Sequence, residues 1–344
     1  MSISTNGQKL TEDEIALYDR QIRLWGMAAQ ARMRSARVLL INLSSIGTEI
    51  CKNIVLSGFG SLTILDSHKA TEEDLSSQFF LSKDNVGSYR LDAAKDRILE
   101  MNPRVNIVFD IDEFSSKQPN YFSNFDLVIG TELKCDEMAR LNEITRKYNI
   151  PLYIAGSNGL FAYIFVDLIQ FDAKEKKVKS FKPTEVGKVS PNTEIIDVEV
   201  QVDEEEASKI YEVITTRNYY KTFGDMLKTA TLQGKLNRRQ MKRLSSAVPL
   251  TIALFSEKPL NNSEDLKCEA LSACRQLQVP ETVLNDQYVE QFFNQVGVEF
   301  TPVAAVIGGA VAQDVINILG KRQSPLNNLV IFDGITLDMP IYEF

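Results

Sequence analysis

A doubly wound α/β fold with a mostly parallel sheet, interrupted by a mostly helical insertion, is the architecture this sequence predicts. Three observations carry that expectation. From residue 36, short apolar runs of strand type alternate with helical periodicity, the pattern of a parallel sheet covered on both faces. Near residue 172 the rhythm stops, and after residue 300 it returns. A chain of 344 residues that is 44% hydrophobic has enough apolar surface for one large core or two smaller ones.

In chain order, residues 11–34 read as a helix opened by a capping box, Thr11 serving the Glu14 amide and Glu14 the Thr11 amide. At about 100° per residue, Ile15, Tyr18, Ile22 and Trp25 fall on one side and Arg20 nearly opposite. Val38–Ile41 makes a first strand that runs into Asn42-Leu43-Ser44-Ser45-Ile46-Gly47. A dinucleotide or ATP loop here would read G-x-G-x-x-G; Asn42 and Ser44 hold the first two glycine positions and Gly47 the third. Gly47–Ser57 then reads as a helix stopped by Gly58, and Leu62–Leu65 as a strand ending in Asp66. Asp66 falls about 20 residues past the loop, where a Rossmann-like fold places the carboxylate that holds ribose hydroxyls. Strands are expected at Ile107–Phe109, Leu127–Ile129 and Leu152–Ala155, with 136–148 as a crossover helix.

The segment 172–295 reads as a helical insertion or second lobe, with an acidic run, Asp203–Glu206, and a basic cluster, Arg238, Arg239, Lys242 and Arg243. Pro302 opens a small-residue helix through Gly308-Gly309-Ala310, ended by Gly320, and Leu329–Phe332 makes a strand closing on Asp333-Gly334. Residues 1–171 and 296–344 therefore belong to one domain.

Composition excludes several classes. A net charge of −8 argues against a general nucleic-acid binder, which needs basic surface against phosphates. No signal peptide or uninterrupted 18-residue apolar span is legible, so no membrane association is expected and the chain should stay in the nucleus or the cytoplasm. Cys51, Cys135, Cys268 and Cys274 are widely spaced without a C-x-x-C, and His68 is the single histidine. Neither a disulfide framework, a metal site nor a Ser-His-Asp triad has the residues it needs.

At Tyr18-Asp19-Arg20-Gln21-Ile22-Arg23-Leu24-Trp25-Gly26 the chain resembles the ubiquitin-like-protein activating enzymes, which share the adenylation fold of bacterial MoeB and ThiF. The resemblance covers 36–170 and Pro302–Gly334, with the insertion the loosest part. Within the family it is similar to the small, non-catalytic subunits of SUMO-activating enzymes, the fungal forms above all, at Ala155–Tyr163 and from Pro325 to Phe344. Such halves carry no thioester-forming cysteine, and this chain has no motif for one. Active halves have N-x-x-R-Q-F after the ribose carboxylate; here Asp74-Leu75-Ser76-Ser77-Gln78-Phe79 puts Asp74 and Ser77 in place of the asparagine and arginine. A carboxylate beside a triphosphate is repelled by it. Arg90 falls near the family's phosphate-facing lysine, and no counterpart of its magnesium-holding aspartate is found around Leu133–Cys135.

The resemblance implies a heterodimer in which the large catalytic subunit binds ATP and Mg²⁺, SUMO is adenylated and passed to that subunit's cysteine, and a conjugating enzyme receives it. This chain would bind no cofactor tightly and hold no metal. Its contribution would be Arg20, which in the family reaches the nucleotide of the opposite half, with Arg23 as the weaker candidate. The degenerate pocket of Asn42, Ser44, Gly47, Asp66, Asp74 and Ser77 would be dispensable. Two other readings are a scaffold for another modifier-activating complex and an independent Rossmann oxidoreductase; the missing glycines argue against the second.

Overall fold

The computed structural model describes residues 10–202, 209–256, 258–321 and 323–344. Helices α1 (Glu12–Leu17), α2 (Asp19–Trp25) and α3 (Met27–Ser35) lead into β1 (Arg37–Ile41), α4 (Ser45–Leu56), β2 (Ser61–Leu65), α5 (Arg90–Met101) and β3 (Asn106–Asp110). Next come α6 (Pro119–Phe122), β4 (Leu127–Thr131), α7 (Cys135–Tyr148), β5 (Leu152–Asn158) and β6 (Phe161–Asp167). The eight-stranded sheet is completed from the chain's far end by α13 (Thr301–Gly320), β11 (Leu329–Asp333) and β12 (Ile341–Tyr342).

Its order is β12-β11-β6-β5-β4-β1-β2-β3. The five strands from β5 to β3 run parallel, while β6, β11 and β12 join antiparallel. Burial on both faces explains why β1 and β4 read as unbroken apolar runs. On one face, α3, α4, α5 and α13 bury Leu40, Ile50, Ile98 and Val311; on the other, α7 and the insertion helices bury Leu39, Leu141 and Leu250.

Between β6 and α13 lie β7 (Gln170–Val178), β8 (Gly187–Ser190), β9 (Thr193–Val202) and β10 (Ile210–Tyr219), then α8 (Phe223–Thr229), α9 (Arg238–Lys242), α10 (Ala247–Leu254), α11 (Ser263–Leu277) and α12 (Asp286–Phe293). The expectation of a helical insertion over 172–295 is corrected for its first part, which forms a four-stranded antiparallel sheet in the order β7-β10-β9-β8. Its outer half meets solvent, leaving Val178, Val200 and Val202 exposed, and the alternation Ile196-Asp197-Val198-Glu199-Val200-Gln201-Val202 in β9 is the strand signal that the helical reading passes over. The acidic run Asp203–Glu206 lies outside the described residues.

The leading segment is three helices where one was expected. The chain breaks at Tyr18 and again at Gly26, whose φ of 85° is in the left-handed region. The first break lets the buried Tyr18 ring close over Gly58, where a Cβ would lie 2.4 Å from it. Asn102 Nδ2 donates to the Tyr18 hydroxyl at 2.8 Å, and Gln21 Nε2 donates to Leu56 O at 3.3 Å. The arm is thereby fastened to the C-terminal end of α4.

By length and composition α13 could cross a membrane, yet 61% of its apolar window is buried inside the protein. It crosses α4 at Gly308, where a Cβ would come 2.5 Å from Glu49 Cβ, so that glycine serves internal packing. Tyr153 of β5 donates to Asp314 of α13 at 2.7 Å and ties the returning helix to the sheet.

Candidate functional site

The loop after β1 keeps the shape of a nucleotide-binding turn without its glycines. Asn42 takes the left-handed φ of 66° that the first glycine would supply, a conformation asparagine tolerates better than most side chains. Its Nδ2 donates to Thr131 O at 2.8 Å. Ser44 caps α4 by accepting from Gly47 N–H at 3.1 Å, while its hydroxyl donates to Thr131 Oγ1 at 2.8 Å and that hydroxyl to Asn42 O at 2.8 Å. Gly47 remains because a Cβ there would fall 2.3 Å from Asn42 O.

The N-terminus of a helix after such a turn is an anion site, since its first amides lack intrahelical partners and carry partial positive charge. Here a carboxylate of the chain itself fills it. Ser45 N–H donates to Glu299 Oε2 at 2.6 Å. Burial raises the Glu299 pKa, opposed by the hydrogen bond from the Ser45 amide. Glu299 sits just ahead of α13, 254 residues away in sequence, and no local signal marks it.

The remaining pocket residues are similarly occupied by the protein. Asp66, 1% exposed, accepts from Leu43 N–H at 2.9 Å and His68 N–H at 2.8 Å, and its Oδ1 lies 2.7 Å from His68 Nδ1. That carboxylate raises the His68 pKa above its ordinary value. Asp74 turns inward, accepting from Arg90 Nε at 3.1 Å and Arg90 Nη2 at 2.7 Å as well as from Thr71 N–H at 2.8 Å. The cation expected near the lysine position is thus spent on Asp74. The Ser77 carbonyl accepts from Ser45 Oγ at 3.1 Å. These residues do not fit a nucleotide: the anion site is filled, and the side chains that would meet ribose and phosphate are bonded to one another.

The sequence reading around Leu133–Cys135 passes over one acid. Glu132 lies immediately beyond β4, at the carboxyl end of the parallel sheet where α/β ligands bind, and that position was its signal. Its carboxylate accepts from Ser157 N–H at 3.0 Å and Ser157 Oγ at 2.8 Å. Burial, with the nearby charge of Glu299, pushes its pKa up to about 8. Among the described residues no group of three or more His, Cys, Asp or Glu is arranged to hold a metal ion.

Arg20 and Arg23 are placed apart from all of this. Both are exposed on α2. Arg23 pairs with Asp19 one turn back at 2.9 Å, whereas Arg20 has no hydrogen-bond or ion-pair partner among the described residues. Leu17, Leu24 and Leu56 are exposed on the arm and on the end of α4 to which it is fastened, at 58%, 70% and 46%. An unpaired guanidinium on such an apolar surface can act on something outside this chain.

This sheet, with a modified nucleotide turn at the carboxyl end of β1, defines the adenylation-fold class. The chain belongs to the ThiF family, whose family model matches residues 18–343. It is 56% identical over 343 residues to the DNA damage tolerance protein RHC31 of Saccharomyces cerevisiae, covering 98% of this chain and 99% of that protein. To the SUMO-activating enzyme subunit 1 of Homo sapiens it is 31% identical over 337 residues, covering 95% and 94%. Among solved structures it resembles PaaA, with a TM-score of 0.56 at 14% identity over 100% of this chain and 77% of that one. Escherichia coli MccB gives 0.53 at 13% identity over 98% and 72%. These two likenesses speak to the fold alone.

Proposed function

We propose that this chain is the small, non-catalytic subunit of a heterodimeric SUMO-activating enzyme and completes an active site held by its large partner. The family and the relatives named as subunit 1 of that enzyme support the role. As a subunit of an ATP-dependent modifier-activating enzyme it works with ATP and Mg²⁺, held by the partner's pocket. SUMO, the conjugating enzyme and a nuclear and cytoplasmic location complete this reading.

The observation that carries it is the contrast between a nucleotide turn filled by Glu299 and an exposed Arg20 without a partner in the chain. When bound in the partner, ATP supplies the α-phosphate that the modifier's C-terminal carboxylate attacks, with pyrophosphate leaving. Arg20 reaches that triphosphate across the interface, and its planar guanidinium offsets charge on the phosphate oxygens. The apolar arm surface packs on the partner, and Arg23, held by Asp19, serves the interface.

Modifier-dependent ATP–pyrophosphate exchange by the assembled heterodimer tests this. Loss of one preorganised electrostatic contact costs about 3–4 kcal/mol, so Arg20→Ala lowers exchange roughly 10²–10³-fold while assembly and thioester transfer from preformed adenylate persist. Arg20→Lys restores part of it. An alanine variant of unchanged activity in a fully assembled complex would leave the subunit as a scaffold.

A further inference from the structure

The basic cluster of α9 takes no part in the site above. Arg238, Arg239, Lys242 and Arg243 are all exposed, and among the described residues none has an ion-pair partner. This short helix stands beside the edge of the large sheet. Between the α9–α10 segment and β12 lies a cavity of ≈ 440 Å³, floored by Leu244, Val248, Ile331 and Tyr342 and bordered on the α9 side by Gln240 and Arg243.

β12 is the last strand of its sheet. Its bonds to β11 run through alternate residues: Asp333 N–H donates to Asp338 O at 3.0 Å and Ile331 N–H to Pro340 O at 3.3 Å, in a register that pairs Val330 with Ile341. Antiparallel alternation turns the N–H and C=O of Met339 and Ile341 the other way, off the sheet. Both residues are exposed, at 39% and 52%. Proline often blunts such an edge, yet Pro340 has its bonding side towards β11 and leaves the outer groups available.

We propose that this edge binds an extended peptide segment of a partner protein by strand addition. Four outward backbone groups, on Met339 and Ile341, pair with the segment's main chain, and one of its aliphatic or aromatic side chains enters the cavity. Charge complementarity sets the rest of its chemistry. The unpaired cations of α9 select acidic residues on that side, whereas Asp338 in the opposite wall disfavours a segment acidic throughout. The occupant is therefore an extended strand with an apolar stretch and acidic residues at one end.

The test titrates the assembled heterodimer with a fluorescein-labelled peptide of three glutamates followed by alternating valine and threonine, read by anisotropy. Saturable binding is expected, weakened about tenfold or more in Lys242→Glu/Arg243→Glu and in Ile341→Pro, which removes an outward N–H without touching a bond to β11. Ile341→Thr keeps the backbone and binds within about twofold of wild type. An unlabelled peptide with proline at each valine keeps the charge, cannot add as a strand and does not compete. Failure of the wild type to bind, equal competition by the proline peptide, or full binding by the charge-reversed variant overturns the proposal. Those substituted cations are exposed, so this last arm remains informative even where Ile341→Pro fails to fold.

Discussion

The two ends of α4 stand about 18 Å apart and serve opposite purposes. At its N-terminus the amides, hydroxyls and carboxylates that would meet a nucleotide are bonded to one another, with Glu299 in the place of an anion. At its C-terminus the helix carries an arm that is firmly anchored inside by Tyr18 and Gln21 and left open outside at Arg20. One helix thus separates a site turned inward from a site turned outward. The difference teaches what the proposed function requires of one fold: a closed end that is rigid, and an open end that uses this rigidity to position a charge.

The arm's anchorage is where the comparison breaks most visibly. Gly58→Val places a β-branched side chain at a φ of +75° and against the Tyr18 ring, combining backbone strain with overpacking. A loss of roughly 3 kcal/mol is expected in denaturant unfolding of the complex. Exchange should fall well before assembly does. Normal stability and exchange would mean that the arm does not depend on this seat.

An effect of pH belongs to the closed end. Glu132 keeps its proton in the folded chain up to about pH 8, whereas an unfolded glutamate releases it near the ordinary value of 4.5. Between those values the folded state holds more protons, so stability falls as pH rises through the window. Glu132→Gln removes the titration and should flatten the fall, by up to about 3–4 kcal/mol between pH 5 and 8, in denaturant midpoints. Parallel curves for the variant and wild type would place the titrating acid elsewhere.

Much of this contrast is legible in the sequence, for reasons that differ between its halves. β1 and β4 are found because strands covered on both faces read as apolar runs, and α13 because most of its small and aliphatic residues are buried. Asn42, Ser44 and Asp74 announce a modified pocket because they replace residues that have one chemical task. The partner of Ser45 is hidden, since a contact spanning 254 residues leaves no local periodicity. Tyr18 reads as one more apolar position of a helix; its role in breaking that helix depends on Gly58, which only the fold brings near.

The finest test separates pocket integrity from pocket use. Asp66→Ala leaves the Leu43 and His68 amides without an acceptor, a cost of about 1–3 kcal/mol in stability. Exchange per folded heterodimer should stay within about twofold of wild type, since the proposed function puts the nucleotide in the partner's pocket. His68 supplies an internal check: NMR titration should find its pKa above 6.5 in wild type, held up by Asp66, and lowered in the variant. A collapse of exchange in an intact complex would instead assign a nucleotide to this chain.

The bond between Ser45 and Glu299 also sets when this protein can become whole. α4 leaves the ribosome early, while the helix that covers it is encoded more than 240 residues later. At roughly 5–20 residues per second, the apolar face of α4 waits on the order of tens of seconds for its cover. The nascent chain therefore offers chaperones a defined early client surface, and burial of that surface marks the moment at which the arm acquires a fixed support.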